Sequence, residues 1–183
     1  VYKRQALQYI IPVFSCQLAK NADDHPGKMK GWKYLDPKLD GVRILTVMDV
    51  DAKTVTQYSR DGRQNDRFEG ITSALAGLLP HLKQSIVLDG EMVSRSFQDL
   101  MKQLNRKEDV DTSDAKLALF DIIPLKDFLA GECTISQRDR QEILVGFMPL
   151  LQQLTGDKVY VIPKMAVDLD SDEGQVEFKR FNN

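Results

Sequence analysis

Tyr34-Leu35-Asp36-Pro37-Lys38-Leu39-Asp40-Gly41-Val42-Arg43 is the stretch on which the reading of this chain turns. A lysine stands just before an Asp-Gly pair, and an arginine follows just after it. Asp-Gly breaks a chain between extended segments, and residues 32–35 and 41–50 on either side read as strands. Two readings fit. In one, the segment is a solvent-exposed hairpin of mixed charge. In the other, Lys38 is a nucleophile aimed by the turn. A lysine ammonium is protonated at neutral pH and attacks only where burial or nearby positive charge favours its neutral form. Arg43, a metal ion or a second basic group could supply that charge.

Outward from this stretch, the composition bounds the class. The chain has 183 residues, 42% hydrophobic and 28% charged, with a formal net charge of −2. That fits one globular domain, or part of a larger protein, and excludes a uniformly basic nucleic-acid binder. Cys16 and Cys133 lie far apart without metal spacing, so a reducing, intracellular setting is expected. No apolar run is long enough to span a membrane, and no secretory signal pattern is present. Val1-Tyr2-Lys3-Arg4-Gln5 back-translates readily to GTGTATAAGAGACAG, which resembles a transposase mosaic end. Residues 1–5 are therefore expected to be a sequencing artefact, and residues 6–183 a domain. The chain stops at Phe181-Asn182-Asn183, inside a helix expected to start near Asp170. It is expected to be a C-terminally truncated fragment.

Residues 54–59 alternate and predict a third strand, closed by Asp61-Gly62. Residues 67–79 put Phe68, Ile71, Leu75 and Leu78 on one helical face. Residues 85–93 form an apolar strand running into Asp89-Gly90-Glu91. A short helix or turn at 97–104, a charged loop at 106–114 and a buried strand at 116–124 follow. Ser136 caps a helix running through Leu154, with Ile143, Leu144, Phe147, Leu150, Leu151 and Leu154 facing the core. Residues 158–162 give another strand. The order is α+β rather than a regular βαβ series.

Four further sites each admit a chemical and a structural reading. Arg60, in Ser59-Arg60-Asp61-Gly62, is either a solvated turn residue or a fork aimed at phosphate. In Leu88-Asp89-Gly90-Glu91, a carboxylate binds a ribose hydroxyl or a metal, or is simply a turn residue. Phe120, in Leu117-Ala118-Leu119-Phe120-Asp121-Ile122-Ile123, is core or a platform for a purine. Arg95, Lys102, Arg106 and Lys107 form a phosphate-contacting patch, or a basic face balanced by Glu108, Asp109 and Asp111. His25 and His81 have no partner at metal or triad spacing, and Cys16 reads as a small core residue.

The order of these pieces carries more than any one of them. Lys38-x-Asp40-Gly41-x-Arg43, then Tyr58-Ser59-Arg60, then Leu88-Asp89-Gly90-Glu91, then Phe120-Asp121 resembles the covalent nucleotidyltransferase superfamily. The resemblance is closest to ATP-dependent DNA ligases, particularly bacteriophage types. It implies an ATP-grasp-like nucleotidyltransferase domain with antiparallel sheets and flanking helices. It also implies an ATP/AMP site of Asp36, Pro37, Lys38, Arg43, Arg60, Glu91 and Phe120. Lys38 would carry AMP, Asp36 would contact the adenine amino group and Phe120 would stack on adenine. Arg43 and Arg60 would meet ribose or phosphate. Glu91 would hold a ribose hydroxyl or help place a metal, and Arg106 would contact phosphate. The implied cofactors are ATP and Mg²⁺ (or Mn²⁺). The implied partner is nicked double-stranded DNA, handled by a monomer in the cytoplasm (of the host, if viral) during repair, replication or recombination. The family's later Glu-Gly-x-x-x-Lys and Lys-x-Lys segments and its C-terminal OB-fold are absent, so the fragment is not expected to ligate alone. RNA ligase, mRNA-capping nucleotidyltransferase and a non-catalytic nucleic-acid-binding module are the alternatives. A carboxylate hydrolase using Asp89 and Glu91 is a further alternative.

Overall fold

The computed structural model describes residues 16–18, 20–105 and 111–181. The described residues fall into two compact units, one formed by Leu39–Val161 and the other by Cys16–Lys38 with Ile162–Asn183. Residues 1–5, most of the apolar stretch at 11–19 and the start of the charged loop, Arg106 and Lys107 included, lie outside the described residues.

The first unit is built on a five-stranded sheet. Its strands are β2 (Val42–Asp49), β3 (Thr54–Ser59), β4 (Ile86–Val93), β5 (Lys116–Pro124) and β6 (Val159–Val161), in the order β3-β2-β4-β5-β6. All pairs are antiparallel except β5 with β6, which run parallel. The central strands are buried on both faces, which is why β2 reads as a nearly continuous apolar run rather than an alternation. Ile44, Met48, Leu88 and Met92 point into one apolar cluster with Leu117 and Leu119. Phe68, Ile71, Leu75 and Leu78 fill the same cluster, as their helical spacing predicts.

Those four residues do not sit on one α-helix. Helix α1 (Glu69–Leu75) tightens into a 3₁₀ segment, Ala76–His81, that contains Pro80. Pro80 has no N–H to offer and could not continue an α-helix. Helix α2 (Phe97–Asn105) follows β4, and the short helix α3 (Leu125–Ala130) follows β5 without a loop. Helix α3 ends at Gly131, whose φ of 74° only glycine adopts freely. Its six residues carry too little periodicity to be read from the sequence.

The single helix expected from Ser136 to Leu154 is two: α4 (Gln137–Gly146) and α5 (Met148–Thr155), parted at Phe147. Pro149 in the first turn of α5 explains the break. The cap at Ser136 is as expected, its hydroxyl accepting the Asp139 N–H at 3.1 Å. The break also re-phases the apolar face. Leu144 and Leu151 are buried and Phe147, Leu150 and Leu154 pack against the cluster, but Ile143 is exposed.

The second unit holds β1 (Trp32–Leu35), β7 (Met165–Asp168) and α6 (Asp172–Phe181). Strands β1 and β7 pair antiparallel, Trp32 opposite Asp168 and Leu35 opposite Met165. Strand β7 is only four residues long and escapes a reading by alternation. The hairpin reading of residues 34–43 therefore does not hold. β1 pairs with β7, whereas β2 pairs with β3 and β4, so Asp40-Gly41 follows the passage from one unit to the next rather than joining two partner strands. Cys16 is only partly buried, against the expectation of a core residue, and both cysteines are free.

Candidate active site

Gly41 enters the first unit against β4. A Cβ there would run into the Met92 carbonyl and come within 2.8 Å of the Glu91 Cγ. The glycine of the opening stretch is thus required by close backbone approach, which lets Val42 pair with Met92 and Arg43 with Glu91.

Arg43, Leu45, Asp89 and Glu91 lie on the sheet face turned away from Ile44, Leu88 and Met92, by the two-residue period of strands. Arg43 donates from Nε and Nη2 to the two carboxylate oxygens of Asp89, at 2.7 and 2.6 Å. This fork-on-fork geometry is the strongest form of charge-assisted hydrogen bond. The guanidinium also lies 4.7 Å above the centroid of the Phe120 ring, at cation–π distance. Burial pushes the Asp89 carboxyl above the usual carboxylate range, the Arg43 fork opposes that rise, and the negative charge of Asp121 adds to it.

Phe120 owes its place to an irregularity in β5. The register passes from Asp89–Asp121 to Gly90–Leu119, so Phe120 is the extra residue of a β-bulge. Such a bulge sets two successive side chains on the same side of a strand. Phe120 is accordingly not core: it is partly exposed, while Leu117 and Leu119 are fully buried. The neighbouring Gly90 must be a glycine as well, because a Cβ there would come within 2.6 Å of the Ala118 carbonyl.

Asp121 is the second carboxylate of this face. Arg140, from α4, donates to it from Nε and Nη2 at 2.8 and 2.9 Å. Asp121 also accepts the Ile122 N–H at 2.8 Å. Neither the pairing of Asp89 with Arg43 nor that of Asp121 with Arg140 is expected from the sequence. Asp89 and Asp121 do stand inside recognisable motifs, whereas nothing in the helix pattern marks Arg140.

Of the other expected residues, Arg60 belongs to the first unit and Asp36, Pro37 and Lys38 to the second. Arg60 sits in the turn after β3, closed by the Gly62 N–H on the Ser59 carbonyl at 2.9 Å, and points outward beside Asp61. In the second unit, Asp36 accepts an ion pair from Lys164 Nζ at 2.6 Å, across 128 residues of sequence. Lys164 is nearly buried, its side chain 7% exposed, and no local pattern announces it. Pro37 and Lys38 are exposed. Arg95 pairs with Asp114 at 2.6 Å and Lys102 with Asp99 at 3.2 Å, which favours the balanced basic face over a phosphate patch for those two.

Among the described residues no three His, Cys, Asp or Glu side chains are grouped to hold a metal ion, so these donors alone make no metal cage. Mg²⁺ characteristically needs only one or two carboxylates when phosphate oxygens complete its shell. Among the described residues no helix is long and apolar enough to cross a membrane.

A family model described as ATP dependent DNA ligase domain matches residues 16–169. The DNA ligase of Archaeoglobus fulgidus is 30% identical over 149 residues, which cover 70% of this chain and 25% of that protein. The DNA ligase of Methanococcus maripaludis is 32% identical over 134 residues, covering 60% of this chain and 23% of that protein. The chain therefore spans about a quarter of the length of these curated relatives. Among solved structures, one named Pmar-Lig_Pre. superimposes with a TM-score of 0.86 at 37% identity, over 94% of this chain and 40% of that one. The ATP-dependent DNA ligase from bacteriophage T7, in complex with ATP, gives 0.61 at 19% identity, over 90% and 57%, a likeness of fold alone.

Proposed function

The chain belongs to the ATP-dependent DNA ligase domain family, and from that premise we propose that it is the partial adenylation domain of a longer DNA ligase. The observation that carries the reading is the cluster in which Arg43 is forked on Asp89 and lies over Phe120. A fixed guanidinium beside an aromatic platform suits a nucleotide whose base stacks and whose phosphates carry charge.

Lys38 Nζ attacks the α-phosphorus of ATP. The bond from that phosphorus to the pyrophosphate oxygen breaks, Nζ loses a proton, and Lys38 carries AMP as a phosphoramidate. An oxygen of a DNA 5′-phosphate then takes the AMP from Lys38. A 3′-hydroxyl displaces AMP from that phosphate and seals the nick. The protein's part is positioning and charge stabilisation. Phe120 offers adenine the ring face opposite Arg43. Arg43 and Arg60 meet ribose or phosphate, Asp36 and Pro37 border the adenine, and Glu91 takes the ribose hydroxyl or a Mg²⁺ (or Mn²⁺) ion brought in with ATP. Arg106 would contact phosphate.

The partner is nicked double-stranded DNA, handled by a monomer. The setting is repair, replication or recombination in the cytoplasm, the host's where the gene is viral. In this reading residues 6–183 form part of the adenylation domain, and residues 1–5 lie outside it.

The test is to incubate the longer ligase with α-labelled ATP and Mg²⁺. An acid-labile AMP adduct is expected, absent in Lys38→Ala. No adduct on the intact protein would sink the enzymatic reading. Better labelling by GTP would move it to a capping-type enzyme, and sealing of nicked RNA in preference to DNA would move it to an RNA ligase.

A further inference from the structure

Arg140 lies on α4, outside the residues proposed to meet the nucleotide, yet its guanidinium makes four hydrogen bonds. Besides the two bonds to Asp121, Nη1 donates to the Ile135 carbonyl at 2.5 Å and Nη2 to Gln137 Oε1 at 2.7 Å. Its side chain is 11% exposed, as is that of Asp121. Asp121 stands directly opposite Asp89 across β4 and β5, and Asp89 holds Arg43.

Like charges at opposed cross-strand positions repel. Here each carboxylate has its own arginine, so the face carries two opposed ion pairs rather than two bare anions. Without Arg140, Asp121 would be a buried carboxylate stripped of its cation, with the fork of Arg43 one strand away. One guanidinium edge can grip only one carboxylate bidentately. Asp121 would then compete with Asp89 for Arg43 and draw it away from Phe120.

We propose that Arg140 is a positioning residue for the nucleotide site: by occupying Asp121 it keeps Arg43 forked on Asp89 and seated over Phe120. The inference rests on the adenylation reading, because Arg43 and Phe120 are the residues proposed there to meet ATP. It assigns Arg140 no contact with the reacting atoms.

The test uses the longer ligase with Arg140→Met, Arg140→Lys and the double variant Arg140→Met/Asp121→Asn. The amplitude of AMP-adduct formation reports the folded fraction, and the KM for ATP of that fraction reports positioning. Arg140→Met is expected to raise this KM by about ten-fold or more, the scale of a misplaced binding group. The double variant removes the competing carboxylate and is expected to return KM to near the wild-type value. A purely structural Arg140 would lower the amplitude, leave KM unchanged and show no rescue, and that result overturns the proposal. If Arg140→Met does not fold, Arg140→Lys decides. Lysine keeps the charge but loses the fork, so KM should rise by less and the Arg43 Nε–H resonance of ¹⁵N-arginine-labelled protein should shift. Wild-type values for both would overturn the proposal. The resonance is read without nucleotide, so it tests the link from Arg140 to Arg43 even if the adenylation reading fails.

Discussion

Asp89 and Asp121 face each other across two neighbouring strands, and each carboxylate is gripped by a different arginine, Arg43 from β2 and Arg140 from α4. The two pairs join three sheet strands and a helix at one place. They also sit where the β5 bulge brings Phe120 and Asp121 to the same side. Charge pairing and backbone irregularity thus coincide at the residues proposed to receive ATP.

Removing Arg43 should be costly because of what it leaves behind. Asp89 is 4% exposed, so Arg43→Met strands a buried carboxylate. Losing one partner of a buried pair costs roughly 3–5 kcal/mol, whereas replacing both by apolar groups is often near neutral. Arg43→Met should lower the urea midpoint sharply, and Arg43→Met/Asp89→Leu should recover most of the loss. Equal destabilisation in the single and double variants would show that the pair is not the source.

Gly41→Ala tests the junction between Lys38 and Arg43. The added methyl would meet the Met92 carbonyl and the Glu91 Cγ. Overpacking of this kind typically costs about 1–3 kcal/mol. Because backbone rather than a flexible side chain is the obstacle, the pairing of Val42 with Met92 should yield. The expected signature is lower thermal stability together with slower AMP-adduct formation, by calorimetry and labelling. A variant unchanged in both would mean that the strand end accommodates a side chain.

Much of this architecture was readable in the sequence, and the failures have identifiable physics. Strands β3 and β5 and the start of α6 follow from alternation, apolar runs and turn residues within their own segments. Strand β7 is defined by its pairing with β1, more than a hundred residues away, and four residues carry no pattern of their own. The same non-locality hid Lys164, whose meaning lies in Asp36. Phe120 sits in an apolar strand whose composition reads as core or as platform, and a one-residue register shift decides it by taking Phe120 out of the core. In the structure Gly174 is a packing residue, since a Cβ would strike the Asp168 carbonyl at the start of α6.

The break between α4 and α5 makes neighbouring residues unequal. Leu144 is fully buried and Ile143 is 45% exposed, although an unbroken helix would have turned both inward. Leu144→Ala should cost about 2–5 kcal/mol, the range for truncation in a packed core. Ile143→Ser should stay within about 0.5 kcal/mol of wild type, as for an exposed site. Urea unfolding of the two variants separates the alternatives, because a continuous helix predicts comparable losses from both.

Helix α2 offers a pH-dependent prediction at a site whose cap could have been read from Ser96-x-x-Asp99. The Ser96 hydroxyl accepts the Asp99 N–H at 3.1 Å and donates to the Asp99 carboxylate at 2.9 Å, and Lys102 Nζ reaches the same carboxylate at 3.2 Å. The Ser96 bond, then Lys102, hold the Asp99 carboxyl below its ordinary value. A lowered carboxyl stabilises the fold above its unfolded-state pKa, and that contribution is lost as pH falls through the folded-state value. Ser96→Ala removes the cap, at a cost of about 1 kcal/mol at neutral pH. It also removes the bond that lowers Asp99. The gap in melting temperature between wild type and Ser96→Ala should therefore be widest at neutral pH and narrow once the pH drops below the ordinary carboxylate range. A gap that stays constant or widens on acidification would show that Asp99 takes no part in the cap.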